Sequence, residues 1–224
     1  MPSEGSTHPF SASIAIKLQR EMSSRVIVEP LDLSRVEVVA GLDVGYRKGV
    51  GFSVAVAIDR SGKELCHVAV ESVVEVPYVP GLLAFREAPI MIAALQVLKE
   101  ECVEPDAIMV NGHGLAHPRR LGIASHVGVA LDVPSIGIAK KRLFGEEREE
   151  GGRVALYVFG EKVGYVVTSA SGAKTYVSVG HRVDPDTALE LSLSMWRKGS
   201  RFPIPIEVAD RVSKRVAREI GKRL

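Results

Sequence analysis

The chain has 224 residues and a formal net charge of only +2, with 46% hydrophobic and 25% charged residues. That length can bury a proper core, and the near balance of charge excludes a polycation that grips nucleic acid through its overall field. No apolar run approaches the ~20 residues needed to cross a bilayer, and Met1 to Pro9 lacks the basic and apolar segments of a secretory signal.

The first ten residues, with their Ser, Gly and Pro, predict a disordered lead, followed by a single domain over 11–224. Ser11 or Ser13 is placed to cap a helix in which Ile14, Leu18 and Met22 recur every four residues. Three strand-like runs follow at Val36 to Val44, Gly51 to Ile58 and Glu64 to Val76. Asp59-Arg60-Ser61-Gly62 offers a hairpin turn between the last two, so the domain opens with an antiparallel meander. Pro77-Tyr78-Val79-Pro80-Gly81 breaks the ladder. From Leu82 to Glu101 the period turns helical, with Met91, Leu95, Leu98 and Cys102 as one stripe.

Ala107 to Val110 is a short buried strand that runs into Asn111-Gly112-His113-Gly114. A helix over Gly122 to Leu131, a strand over Ser135 to Ala139 and a hairpin pairing Arg153–Phe159 with Lys162–Ser169 come next. Helices near Pro185 to Lys198 and Glu207 to Arg223 finish the chain. The stretch from Arg211 to Leu224 carries Arg211, Lys214, Arg215, Arg218, Lys222 and Arg223 against Glu219 alone: a local cationic patch, or a solvated helix face. The succession predicts an α/β fold with a mixed sheet. Cys66 and Cys102 lack partners at zinc-finger spacing and are expected as reduced thiols of a cytoplasmic protein.

Four positions carry the chemistry. Asp43 lies in the otherwise apolar run Val39 to Gly45, where a buried carboxylate needs a cation, hydrogen bonds or a proton. Glu87 falls one helical turn before Met91 and extends the buried stripe, although a first-turn Glu also suits the helix dipole. Pro89 marks a start or bend of that helix. Asn111 ends a buried strand before a glycine turn, a common place for ligands and also plain turn chemistry. Lys140 ends the next strand and suits a phosphate or a nucleophilic water; surface charge is the alternative. Together they suit metal-assisted phosphodiester hydrolysis, and the oxygen-only donors favour Mg²⁺, with Mn²⁺ as substitute, over zinc.

Gly41-Leu42-Asp43-Val44, the run from Pro77 to Glu87 (Pro-Tyr-Val-Pro, then Phe-Arg-Glu) and Gly112-His113-Gly114-Leu115-Ala116-His117-Pro118-Arg119 together resemble the endonuclease V family. Gly122-Ile123-Ala124-Ser125-His126, Ile138-Ala139-Lys140 and Val179-Gly180-His181 fit as well. The resemblance implies a ribonuclease H-like fold: a mixed central sheet with three antiparallel opening strands and flanking helices. It also implies Mg²⁺-dependent cleavage at the second phosphodiester 3′ to an inosine in DNA, or in RNA; a monomer is expected.

On that resemblance, Asp43, Glu87, Asn111 and Asp210 would hold the metal, and Lys140 would meet phosphate or water. Pro77, Tyr78, Val79 and Pro80 would form a strand-separating wedge. Gly81, Leu83, Gly112 and Leu143 would line the base pocket. His117, Arg119 and His126 would bind phosphate or shape the site.

The departure is Asn111, where the family motif begins with Asp. An amide offers an oxygen but no charge, so the expectation is impaired catalysis with substrate binding retained. A non-catalytic inosine-binding protein of the same fold is the alternative. An actin-like kinase would need two phosphate-binding halves, and this chain offers one.

Overall fold

The computed structural model describes residues 10–169 and 171–223. The disordered lead expected over 1–10 therefore lies, apart from Phe10, outside the described residues. One nine-stranded mixed sheet forms the centre, in the order β3-β2-β1-β4-β5-β9-β8-β7-β6. Strands β1 (Val38–Arg47), β2 (Val50–Asp59) and β3 (Glu64–Val73) are the expected antiparallel meander. Helix α2 (Leu83–Glu101) crosses over to β4 (Ala107–Asn111), and α3 (Ile123–Leu131) crosses to β5 (Ser135–Ala139). Both crossovers produce parallel pairings, β4 beside β1 and β5 beside β4.

Two strands escape the sequence pattern. The first, β6 (Glu146–Glu150), reads Glu-Glu-Arg-Glu-Glu and shows no apolar alternation, because it is the outer edge of the sheet and pairs only with β7 (Arg153–Val158). The second, β9 (Lys174–His181), links β8 (Glu161–Thr168) to β5 and so joins the two halves of the sheet.

Helices cover both faces. Alternate residues of β1 and β2 point to opposite sides. Ala40, Leu42, Ala55 and Ala57 pack under Ala88, Met91, Leu95 and Leu98 of α2 and Ala124 and Val127 of α3. Val39, Val54, Val56 and Ile58 face Val208, Ala209 and Val212 of α5 (Ile204–Arg223). Each fully buried Leu or Met in these layers contributes roughly 1.5–3 kcal/mol of transfer free energy. Helix α5 begins directly on β1: a Cβ at Gly41 would lie 2.0 Å from the Pro205 carbonyl oxygen, so only glycine admits the helix this close. The last helices begin at Pro185 and Ile204, with α4 ending at Ser194, four residues short of the expected Lys198.

Four expectations are corrected. Cys66 and Cys102 are not free thiols but a disulfide, with Cα atoms 6.6 Å apart across 36 residues of sequence. The edge strand β3 passes beneath the C-terminal end of α2, a tertiary neighbourhood that cysteine spacing does not encode. Helix α1 (Ala12–Ser23), capped by Ser11, leaves Ile14 and Leu18 exposed and buries Ala15 and Gln19 instead. Strand β3 ends at Val73 rather than Val76. Pro89 does not start α2, which runs through it from Leu83.

Candidate active site

The crossover connections bring the C-terminal ends of β1 and β4 side by side, since Leu42 pairs with Val110. Asp43 and Asn111, one residue further along each strand, therefore meet: the Asn111 Nδ2 donates to Asp43 Oδ1 at 2.7 Å. Asp43 is only 7% exposed. Burial pushes its carboxyl above the usual range, against hydrogen bonds from Ser213 and Asn111, and the nearby Asp210 carboxylate adds to the rise.

Glu87, 9% exposed, comes from the first turns of α2. The Tyr46 hydroxyl donates to Glu87 Oε1 at 3.0 Å, and the Arg86 guanidinium stacks 4.5 Å from the Tyr46 ring centre. Burial raises Glu87 to about 7; the Tyr46 hydrogen bond opposes this, and the charge of Asp43 reinforces it. Tyr46, three residues after Asp43, is a site residue that no motif flagged. Its phenol is pushed up to about 12, by burial and then by the adjacent Glu87.

Asp210 and Ser213 approach from α5. Asp210 is held by Lys214 Nζ at 2.6 Å, one helical turn on. Among the described residues no three acids, histidines or cysteines converge as a ready metal cluster. Asp43 and Glu87 are nonetheless two desolvated carboxylates, with the Asn111 amide and Asp210 near Asp43. Burial holds each above the usual carboxylate range, the condition that a hard divalent cation relieves. Asp43, Glu87 and Asp210 are the carboxylates that could supply oxygen donors to such a cation; Asn111 brings no charge, and its amide NH2 is the group turned to Asp43. Lys140 follows the last residue of β5 and is exposed; its backbone carbonyl accepts from Arg201 Nη2 at 3.0 Å.

Beside Asn111 opens a pocket of about 290 Å³. Gly81, Leu83, Gly112 and Leu143, all four expected pocket residues, line it together with Tyr78, which is 67% exposed on the preceding loop. Pro77 and Pro80 are exposed and Val79 half-buried, so the loop projects beside the opening. Gln19, His113 and Ile123 also line the pocket and were not foreseen. Gln19 belongs to a helix distant in sequence, so no local signal marks it.

The loop is anchored at one atom. The Gly81 carbonyl oxygen accepts from Arg119 Nη2 at 2.7 Å, Gln19 Nε2 at 3.1 Å and His117 Nε2 at 3.1 Å. Gln19, fully buried, also donates to the Leu121 carbonyl at 2.7 Å and accepts from Arg119 Nε. Gly81 has φ +77°, which disfavours any side chain. Arg119 and His117 are thus turned to the loop anchor. His126 packs edge-on to Phe85, with ring centres 5.1 Å apart. Burial lowers both His117 and His126 to about 4, with Arg119 adding to the effect at His117.

The chain matches the Endonuclease V family over residues 20–211. It is 44% identical over 211 residues to an Endonuclease V of Desulfurococcus amylolyticus, covering 92% of this chain and 95% of that one. The crystal structure of Endonuclease V from Streptomyces avermitilis superposes with a TM-score of 0.85 at 33% identity, over 97% of each chain. The Ciona intestinalis Endonuclease V, solved in complex with a 24mer DNA containing an inosine followed by a ribo-adenosine, gives 0.83 at 26% identity, covering 93% of this chain and 98% of that one. With its ribonuclease H-like sheet and these matches along nearly its whole length, the chain belongs to the Endonuclease V family of nucleases.

Proposed function

We propose that this protein is a repair endonuclease that recognises inosine in nucleic acid and cleaves the second phosphodiester 3′ to it, with catalysis in this chain impaired by Asn111. The observation that carries the reading is the junction of Asn111 and Gly112: one residue reaches Asp43, and its neighbour lines the pocket beside Tyr78. A base-sized pocket and a carboxylate cluster thus share one strand end. The Ciona relative is solved in complex with an inosine-containing DNA, so DNA is the first substrate class to test and RNA the second.

Tyr78 and its prolines fill the space that an extruded base leaves in the stack, a step that costs a few kcal/mol and is least costly at a damaged base. The hypoxanthine enters between Gly81, Leu83, Gly112 and Leu143, where backbone groups come close to its edge. Arg119, Gln19 and His117 keep the loop carrying Tyr78 in place by holding the Gly81 carbonyl. Asp43, Glu87, Asn111 and Asp210 would hold Mg²⁺, or Mn²⁺ in its place, which would supply Lewis-acid stabilisation of the phosphate and an acidified water. Glu87, desolvated and hydrogen-bonded by the Tyr46 hydroxyl, is held in place as a carboxylate whose ionised form a bound cation would favour. Lys140 meets the phosphate as an exposed cation.

The test is a gel shift of the chain on inosine-containing and undamaged DNA and RNA, paired with Mg²⁺-supported cleavage by an Asn111→Asp chain on the same end-labelled strands. Inosine-selective binding and a nick at the second phosphodiester 3′ are expected. No preference for inosine in either chain overturns the reading.

A further inference from the structure

We infer that a second phosphate-binding site, apart from the carboxylate cluster, lies in the groove between α5 and the edge strand β3 and holds the backbone of the nucleic-acid strand beyond the reacting nucleotides. The inference rests on the nucleic-acid reading above and adds a surface to it. Arg211, Arg215 and Arg218 recur at i, i+4 and i+7 on α5, so their side chains share one face. With Val212, Glu64 and His67 they line a groove of about 340 Å³.

Two of these arginines are aimed rather than free in solvent. Arg215 Nη2 lies 3.0 Å from His67 Nε2, so that nitrogen accepts and the ring proton sits on Nδ1, 2.7 Å from Glu64 Oε1. Arg218 Nε donates to the Lys214 carbonyl at 3.2 Å, which leaves the outer nitrogens of its guanidinium available. Arg211 Nη2 approaches Glu64 Oε2 at 3.4 Å. Three guanidinium groups against the single carboxylate of Glu64 leave the groove cationic, in a chain whose net charge is only +2. Guanidinium groups match phosphate oxygens in fork geometry.

The spacing and the position favour a strand over a small anion. From Arg211 to Arg218 the helix advances about 10 Å, close to three steps of a strand at about 3.4 Å each. The same helix places Asp210 and Ser213 beside Asp43. A strand whose scissile phosphate reaches Asp43 therefore has α5 alongside it, and the arginines of the adjacent face meet its flank.

The experiment measures affinity for undamaged duplex DNA across a KCl series. Each phosphate contact contributes about 0.9 to the slope of log K against log [salt]. The Arg215→Ala/Arg218→Ala chain is expected to show a slope shallower by about 2 and several-fold weaker binding, with an unchanged melting temperature because both side chains are exposed. The Arg215→Lys/Arg218→Lys chain restores the slope. Arg148→Ala/Arg153→Ala, at the far edge of the sheet, leaves it unchanged. A slope equal to the parent's in the Ala chain, with no change in calorimetric binding of inorganic phosphate, overturns the site. Calorimetric binding of inorganic phosphate that is lost in the Ala chain while the duplex slope stays put overturns the strand assignment in favour of a free anion. Loss of slope without any inosine preference in the parent keeps this site and removes the lesion reading. Inosine preference with an unchanged slope does the reverse.

Discussion

Asn111 Nδ2 donates a 2.7 Å hydrogen bond to Asp43 Oδ1, so the amide occupies the carboxylate that the donor set would otherwise turn toward a cation. An Asp at this position accepts instead of donating and adds a negative charge. Asn111→Asp is expected to tighten Mg²⁺ binding, seen by calorimetry, and to raise single-turnover cleavage by on the order of 100-fold, about 2.7 kcal/mol of transition-state stabilisation. Equal rates in the two chains sink this account of Asn111.

Tyr78 is mostly exposed and touches little of the core. Tyr78→Ala is expected to leave stability within about 0.5 kcal/mol. Cleavage of an inosine-containing duplex by the Asn111→Asp chain should fall far more than cleavage of a single strand, which has no stack to open. Equal losses on both substrates argue against a wedge.

Gln19 is buried and ties Gly81, Leu121 and Arg119 together. Gln19→Met keeps much of the volume but leaves the Leu121 carbonyl and the Arg119 guanidinium each short of a partner, a loss of roughly 1–3 kcal/mol. Urea unfolding reads the stability term. A gel shift reads the second consequence, reduced preference for inosine over undamaged DNA once the Gly81 loop is loosened.

His117 and His126 are held neutral by burial, with folded pKa values of about 4. The unfolded chain protonates them near 6.5, so it binds more protons than the native state between those values. Their contribution to stability is therefore complete above about pH 6.5 and is lost as pH falls toward 4, on the order of 3 kcal/mol for His117, which is 3% exposed. Denaturation midpoints measured from pH 7 to pH 4 should drop, and His126→Phe should flatten part of that drop. A midpoint independent of pH over this range contradicts the buried neutral rings.

Cys66 and Cys102 close a loop spanning 36 residues between the sheet edge and α2. The chain-entropy model assigns such a closure roughly 4 kcal/mol. Thermal unfolding in a strong reductant, and of the Cys102→Ser chain, should fall together by a comparable amount. An unchanged midpoint in both shows that the bond contributes little.

Much of this protein was legible from the chain alone. The switch from a two-residue to a helical period at Pro77–Leu82, the apolar runs and the glycine turns determine the meander, both crossovers and thereby the meeting of the β1 and β4 ends, because short right-handed crossovers leave few other topologies. Motif resemblance pointed to Asp43, Glu87, Asn111 and the four pocket residues. Local periodicity cannot report what arrives from elsewhere in the chain. The edge strand β6 has no buried face to impose alternation, and Ile14 and Leu18 form an apolar stripe that the fold leaves in water while it buries Gln19. Tyr46 on Glu87, Gln19 on Gly81 and Cys66 on Cys102 are contacts across 41, 62 and 36 residues. Only the packing of α1, α2 and the sheet edge brings those atoms within bonding distance, so the tertiary structure alone decided them.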